Sequence, residues 1–323
     1  MPRLVFLTLL IGSPAFAQGD RLADSLSDLR QLDGRVATIG HRLAVANRDL
    51  CASRQWLAGL AVHDLWQYGP GFRAAANREF GLERGPGILA LADEGPATRA
   101  GLHRDDILLS VDGATLPRGQ ATGPATFAGM ERILEEMERA LSDGAATFVI
   151  ARGETELSVA VTGEQGCASR FQLIPSRRLN ALADGRYVQV TTAIADYVAD
   201  EQELAAVLAH ELAHNVLGHR ARLDAAGVER GLLGNFGRNA RLIRETEEEA
   251  DRLSIYLLDR AGYDIEAPVR FWQRFGRRGL NVFGSPTHGG WQGRVASFRE
   301  EIAVVRHARA AGEVPAVPSF AGN

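Results

Sequence analysis

The chain has 323 residues, of which 46% are apolar and 24% are charged, and its formal net charge is −4. This apolar content with mixed charge excludes a disordered protein, and the length allows two domains of ordinary size. The slightly acidic balance argues against nucleic acid as a partner, because proteins that bind it present a basic surface.

The first seventeen residues have the pattern of a secretory signal peptide. Arg3 precedes an apolar run from Leu4 to Ile11, and the small residues Ala15 and Ala17 follow it. The alternative is a membrane anchor, but the run is far shorter than the roughly 20 residues that a membrane helix needs. We therefore expect residues 1–17 to be removed, the mature chain to have no membrane span, and the protein to be exported, with the periplasm as its compartment.

Residues 18–50 are predicted to form one long helix. Apolar residues recur at three- and four-residue steps from Leu26 to Leu43, which is typical of a helix packed on a core. The helix is followed by Cys51, and the only other cysteine is Cys167. Disulfides persist in exported proteins, and the spacing of this pair is not that of a zinc site. We expect one disulfide between them.

Residues 51–167 have a different pattern, with short apolar runs separated by glycine-rich turns. Residues 94–113 (EGPATRAGLHRDDILLSVDG) resemble the signature of PDZ domains. The resemblance implies an inserted PDZ-like β-rich domain. It also implies that Leu57, Ala58, Gly59 and Leu60 form a loop whose backbone N–H groups receive a peptide C-terminus. The alternative is a spacer that binds no peptide and only restricts access.

Residues 201–220 (EQELAAVLAHELAHNVLGHR) predict an amphipathic helix that carries an H-E-x-x-H motif. His210 and His214 are four residues apart, so they project from one face about one turn from each other and are placed to bind one zinc ion per chain. Glu211 between them is suited to accept a proton from water. A solvated helix face that happens to spell the motif is the alternative.

A catalytic zinc needs a third protein ligand and keeps its fourth position open. In metzincins this ligand is a histidine that would fall at position 220, which is Arg220 here. Residues 245–258 predict a second helix, on which Glu247 and Asp251 stand four apart on one face. We predict Glu247 as the third ligand and Asp251 as the group that orients Glu247 or a histidine.

Two other features are assigned to structure rather than to function. His219 lies about 140° round the helix from His214, so we expect it to form a structural hydrogen bond rather than to bind metal. Phe271, Trp272 and Phe275 have helical spacing and are expected in the core.

The motif HELAHNVLGH, followed by E-x-E-A-D at residues 247–251, resembles the HtpX/BepA-type zinc metallopeptidases, a gluzincin family that includes the CAAX prenyl proteases. The resemblance extends to LNALADG at residues 179–185 and to THGGWQGR, which contains His288 and Arg294. It covers about half of the chain. The family usually has proline after its Thr-His pair, where this chain has Gly289.

The resemblance implies an α+β fold, with a mainly helical zinc metallopeptidase domain and a small β-sheet at residues 168–323. A strand at residues 186–192 is expected, and in gluzincins an edge strand here holds the substrate backbone. His288 is expected to donate a hydrogen bond to the oxyanion or to occupy the open position of zinc. Arg294 is expected to bind a zinc-site carboxylate or the substrate backbone. The alternative for both is a surface role in a glycine-rich loop.

These patterns together predict a zinc-dependent endopeptidase of the cell envelope that cleaves misfolded or misassembled proteins. The PDZ-like domain would recognise substrates or control access. The substrate class rests on family analogy alone. One alternative is a catalytically silent adaptor or chaperone-like scaffold, against which the presence of Glu211 counts. The other is a zinc hydrolase that acts on something other than protein.

Overall fold

The computed structural model describes residues 14–119, 123–228, 237–277 and 290–320. The helices are α1 (Pro14–Ala46), α2 (Pro70–Phe80), α3 (Pro96–Arg99), α4 (Ala128–Ala140), α5 (Thr192–Tyr197), α6 (Glu201–Val216), α7 (His219–Ala225), α8 (Gly237–Arg260), α9 (Ala267–Arg277) and α10 (Trp291–Ala310). The strands are β1 (Arg54–Leu57), β2 (Leu60–His63), β3 (Gly87–Leu91), β4 (Ile107–Val111), β5 (Ala114–Thr115), β6 (Ala145–Arg152), β7 (Thr155–Thr162), β8 (Glu164–Cys167), β9 (Arg170–Ile174), β10 (Ala181–Ala183) and β11 (Tyr187–Thr191). The predicted α+β class is confirmed. Within the described part of the chain, every helix is too short or too polar to cross a membrane.

Helix α1 occupies most of the range in which one long helix was expected, and it packs on both halves of the molecule. Its C-terminal half contributes Val36, Ile39 and Leu43 to the core of the helical half. Gly40 lets α1 approach β9, because a Cβ atom there would lie 2.3 Å from the Phe171 ring. Residues 1–13 of the predicted signal peptide lie outside the described residues, and α1 begins at Pro14.

The helical half is built on a three-stranded sheet in the order β10-β11-β9, against which α6 packs. Residues 186–192 were predicted to form a strand, and β11 is that strand. Its predicted edge position is wrong, because β11 pairs with β9 on one side and β10 on the other. The β-branched residues that predicted this strand are buried because β11 is the central strand of the sheet. The strand at the edge next to it is the short strand β10.

Helix α6 is buried along most of its length and packs against α8. Four of its buried residues are alanines, which let the two helix backbones approach closely: Ala205, Ala206, Ala209 and Ala213. Its N-terminus is capped by Asp200, whose carboxylate accepts a hydrogen bond from the Glu203 backbone N–H at 2.9 Å. These features fix the axial position of the H-E-x-x-H residues relative to α8.

Residues 54–167 form a separate β-rich unit with its own core. Its main sheet has the order β2-β3-β4-β6-β7, with β5 paired to β4, and α4 packs on it through Met130 and Ile133. Strands β1 and β8 pair with each other at the base of the unit. A β-rich unit was expected here, and its assignment as a PDZ domain stays a prediction.

A buried arginine connects the two halves. Arg170 on β9 is ion-paired to Glu131 at 2.8 Å and to Glu138 at 2.6 Å, both on α4. It also donates to the Tyr187 hydroxyl at 2.8 Å. Because the Arg170 side chain is only 9% exposed, these bonds are largely desolvated, and they fix α4 against the three-stranded sheet.

The disulfide between Cys51 and Cys167 is present, with the two Cα atoms 5.5 Å apart. It joins the two points at which the chain enters and leaves the β-rich unit. The closed loop spans a sequence separation of 116 residues.

We expect removal of this disulfide to destabilise the protein, since it restricts the unfolded chain. For a loop of this length the chain-entropy model gives roughly 4 to 5 kcal/mol. The Cys51→Ala/Cys167→Ala variant should lose about that much free energy of unfolding in a denaturant titration, and a reducing agent should affect only the parent protein. Two reactive thiols in the denatured, unreduced parent protein would contradict the bridge.

Candidate metal centre and active site

The H-E-x-x-H residues of α6 face a cleft with a volume of about 410 Å³. One side of the cleft is formed by strand β10, and the other side by α8, α9 and α10. Besides the polar cluster described below, side chains that line it include Ala181, Leu182, Val207, Pro268, Phe271 and Phe298. Since β10 is an edge strand, its outer backbone groups are the ones available to an extended chain in this cleft.

His210, His214 and Glu247 bring three potential metal-binding atoms together, all within 4.8 Å of one another. The two Nε2 atoms are 3.2 Å apart, and Glu247 oxygens lie 3.4 Å from His210 Nε2 and 3.5 Å from His214 Nε2. Tetrahedral ligands at the usual zinc distances of about 2.0–2.1 Å are separated by roughly 3.3 Å. The donor set therefore fits a zinc ion in both chemistry and spacing.

Asp251 lies behind His210, one turn after Glu247 on α8. Its Oδ1 atom is 2.9 Å from His210 Nδ1, so the carboxylate lies against that ring nitrogen, while Nε2 lies next to Glu247 and His214. Burial opposes ionisation of Asp251, but Arg294 and His210 outweigh it and hold the pKa of Asp251 below its ordinary value. Asp251 is thus placed to orient a histidine, one of the two roles predicted for it.

Arg294 lies in the first turn of α10 and is buried. It forms an ion pair with Asp251, and its Nη1 atom lies 3.7 Å from a Glu247 oxygen. The guanidinium also lies over the Trp272 ring, 3.9 Å from the ring centroid. Of the partners predicted for Arg294, the structure therefore supplies the metal-site acid.

His214 is held by a second chain of contacts through His219. The two Nδ1 atoms are 2.8 Å apart, and His219 Nε2 lies 3.0 Å from Glu249. Burial lowers the pKa of His214 to about 4 and that of His219 still further, so both rings are neutral. A carboxylate only accepts, so His219 donates from Nε2 and accepts at Nδ1 from His214. His214 Nε2 is left with its lone pair toward the cleft.

Glu211 lies in the same cleft and is 6% exposed. Burial, with a smaller effect from Glu247 and Asp251, raises the pKa of its carboxyl to about 7. A carboxyl group with a pKa near neutrality accepts and returns protons readily. The role of Glu211 as the general base stays a prediction.

Some residues of the site were given no functional role from the sequence. Glu249 supports His219 and is itself bonded by Arg222 at 2.5 Å. Phe271 lies in the core as expected and Trp272 packs against it, and both also line the cleft. The contacts of His219 and Glu249 join different helices, so no single-helix periodicity reveals them. His288, the predicted oxyanion donor or zinc ligand, lies outside the described residues.

Residues 57–60, the predicted peptide-receiving loop, connect β1 to β2. Leu57 ends β1 and Leu60 begins β2, and Gly59 has a φ of +71°, which glycine adopts without strain. The Ala58 and Gly59 carbonyls accept from Ala97 and Ala92. In the described structure the Ala58 and Gly59 N–H groups have no backbone acceptor. They stand at one end of a groove considered below.

Within this fold, the donor set has the arrangement of an H-E-x-x-H metal site. Residues 160–238 match the model of peptidase family M48, a segment that includes His210 and His214 and ends before Glu247. This match over part of the chain supports the resemblance to HtpX/BepA-type zinc metallopeptidases.

Curated relatives match part of the chain. It is 31% identical over 133 residues to the beta-barrel assembly-enhancing protease of Yersinia pestis, covering 32% of this chain and 27% of that protein. It is also 31% identical to the putative beta-barrel assembly-enhancing protease of Vibrio cholerae serotype O1, and this match covers 32% of this chain and 28% of that protein. The mitochondrial metalloendopeptidase OMA1 of Schizosaccharomyces pombe is 29% identical over 165 residues, and this match covers 44% of this chain and 49% of that protein. The chain thus spans half or less of the length of these relatives.

We expect His219 to act as a positioning residue for His214. His219→Leu removes the acceptor for the His214 Nδ1 proton, and loss of such a partner typically weakens metal binding by about 10- to 100-fold. His219→Asn keeps a side-chain oxygen near that point and should retain more of the affinity. Zinc affinity is measured by competition with a chromogenic chelator.

The exposed His307, replaced by leucine, is the control for this comparison. Equal zinc affinity in His219→Leu and the parent protein, at unchanged thermal stability, would show that His219 only fills space.

Proposed function

We propose that the protein is a zinc-dependent endopeptidase in which His210, His214 and Glu247 hold the metal and Glu211 is the general base. The observation that supports this most directly is the spacing of the three donor groups, which matches the edges of a zinc tetrahedron, beside a buried carboxyl group of raised pKa. A metal-dependent peptidase also fits the family match.

The substrate would bind in extended form along the edge of β10. Its backbone would add to the sheet as a further strand, with its scissile bond next to Glu211. Zinc, when bound, supplies a Lewis acid that polarises a carbonyl group and lowers the pKa of water. Glu211 would take a proton from the attacking water and later deliver it to the leaving amine. Phe271, Phe298 and Leu182 give the cleft apolar walls that suit apolar substrate side chains.

We place the protein in envelope quality control, exported to the periplasm, with misfolded or misassembled proteins as substrates. Two relatives carry the name beta-barrel assembly-enhancing protease, and the N-terminal sequence has the signal-peptide pattern. The rival is a catalytically silent adaptor or scaffold. A scaffold needs neither Glu211 nor the contacts of Asp251 with His210 and of His219 with His214, so this alternative leaves them unexplained.

The β-rich unit would act as a PDZ-like module that receives a substrate C-terminus. Strand β2 lies at the edge of its sheet, and α4 lies beside it with Met130, Leu134 and Met137 toward the same groove. The N–H groups of Ala58 and Gly59, which have no backbone acceptor among the described residues, are suited to a carboxylate at the end of this groove. A spacer that only restricts access to the cleft is the alternative.

We expect Glu211→Gln to keep zinc and to lose turnover, because glutamine cannot accept the proton. The loss of a general base typically costs about 100- to 10,000-fold. The measurement is cleavage of unfolded casein, together with metal content by atomic absorption. Glu201→Gln, an exposed change on the same helix, is the matched control and should cleave normally.

A pair of substitutions on α8 tests whether Glu247 is a metal ligand. Glu247→Ala should lose metal, whereas Glu248→Ala, one residue on and exposed, should keep it. Retained proteolysis in zinc-loaded Glu211→Gln would contradict the mechanism, and full zinc content in Glu247→Ala would contradict the ligand set.

For the PDZ-like module, we expect peptides with a free C-terminal carboxylate and an apolar last residue to bind, and their amidated forms not to bind. The reason is that the Ala58 and Gly59 N–H groups can donate to a carboxylate only where one is present. Fluorescence anisotropy with labelled peptides measures this. If the two forms bind equally, or neither binds, the spacer alternative is favoured.

A further inference from the structure

A groove with a volume of about 270 Å³ separates the β-rich unit from the peptidase sheet. Its floor is one face of α1, which runs from Leu26 to Ala44 at three- and four-residue steps. Strand β2 and helix α4 form one wall, and β9 forms the other. Among the described strands, β2 and β9 each end a sheet, so both walls present strand edges to whatever occupies the groove. Two strand edges over an apolar floor are suited to an extended peptide.

Most charged side chains that line this groove already have partners. Arg30 donates to the Leu89 carbonyl at 3.2 Å and pairs with Asp105. His41 lies 2.9 Å from Glu164. Arg170 and Glu138 pair with each other, as described above.

Asp33 is the exception. It lies on the groove face of α1, and among the described residues it has no hydrogen-bond or ion-pair partner. Burial raises the pKa of its carboxyl to about 7. A half-buried carboxyl group without a partner is costly in a protein interior, and a cation would offset that cost.

The distance between Asp33 and the loop at Gly59 can be read along α1. A Cβ atom at Gly59 would lie 3.3 Å from the His41 ring, so His41 marks the loop end of the groove. Asp33 is two turns earlier, about 12 Å away at 1.5 Å per residue. An extended peptide covers that distance in roughly three or four residues.

We propose that Asp33 is a specificity residue that binds a lysine or arginine side chain of the peptide, three or four positions before its C-terminal residue. This rests on the proposed binding of a C-terminus at Ala58 and Gly59. The carboxylate of the peptide would lie at the loop, its backbone would pair with β2, and its basic side chain would reach the α1 floor. The selectivity would therefore come from the N-terminal helix and not from the β-rich unit itself.

The test uses labelled peptides with a free C-terminus and an apolar last residue, which carry one lysine at the second, third, fourth or fifth position before it. A peptide with glutamine in place of lysine is the reference. Binding is measured by fluorescence anisotropy with the full chain in the Glu211→Gln background, so that no peptide is cleaved. Asp33→Asn is compared with Asp28→Asn, which removes the same charge from an exposed position on the same helix.

We expect lysine at the third or fourth position to tighten binding about tenfold relative to glutamine, the order of one charge-assisted hydrogen bond. This gain should vanish in Asp33→Asn and persist in Asp28→Asn. If free C-termini bind with no preference for lysine, or if the preference survives Asp33→Asn, the role of Asp33 is refuted and the C-terminus site stands. If no peptide binds at all, the proposed C-terminus site fails, and the role of Asp33 fails with it.

Discussion

The metal site depends on charge compensation between α8, α6 and α10. Asp251 and Glu247 would be costly carboxylates at this depth without a positive partner. Arg294 supplies it, and the Trp272 ring fixes the guanidinium from the other side. With Asp251 held in this way, His210 has a fixed ring orientation, and the donor atoms stay at metal-binding spacing. Breaking this arrangement at Arg294 would leave buried negative charge beside the very carboxylate that is proposed to bind zinc.

The three-stranded sheet of the helical half lies between the two candidate binding regions. Its edge strand β10 lines the active-site cleft, and its other edge strand β9 lines the groove beside the β-rich unit, with only β11 between them. Adjacent strands are about 4.8 Å apart, so the two edges are separated by roughly 10 Å. Arg170 on β9 and Tyr187 on β11 are both bonded to α4. A displacement of α4 would therefore act first on the strands that support the cleft.

Local patterns in the sequence predicted the parts of the site that lie on one helix. Histidines four apart with a glutamate between them require only helical geometry, so His210, Glu211 and His214 could be placed without tertiary information. Glu247 required a guess that a second helix faces the first. The strand at residues 186–192 was recognisable from its β-branched residues, but composition does not say which strand ends a sheet. The three-residue strand β10 has too short a pattern to be recognised. The support of His214 by His219 and Glu249 depends on how α7 and α8 pack, which no periodicity encodes.

Asp33 shows a sequence signal of another kind. The apolar stripe of α1 includes Leu26, Leu29, Leu32, Val36 and Leu43, and Asp33 stands next to Leu32, four residues after Leu29. An acid within an apolar stripe is normally explained by a partner on the element that it faces, but the described structure gives Asp33 none. The disulfide fixes the base of the β-rich unit, and Arg170 fixes α4 at the opposite side of the groove. These two attachments tie the β-rich unit to the helical half beside the groove that Asp33 faces. Protonation avoids the cost of a buried charge, which is why burial raises the pKa of Asp33, and a cationic group that enters the groove would instead offset the cost of the ionised form.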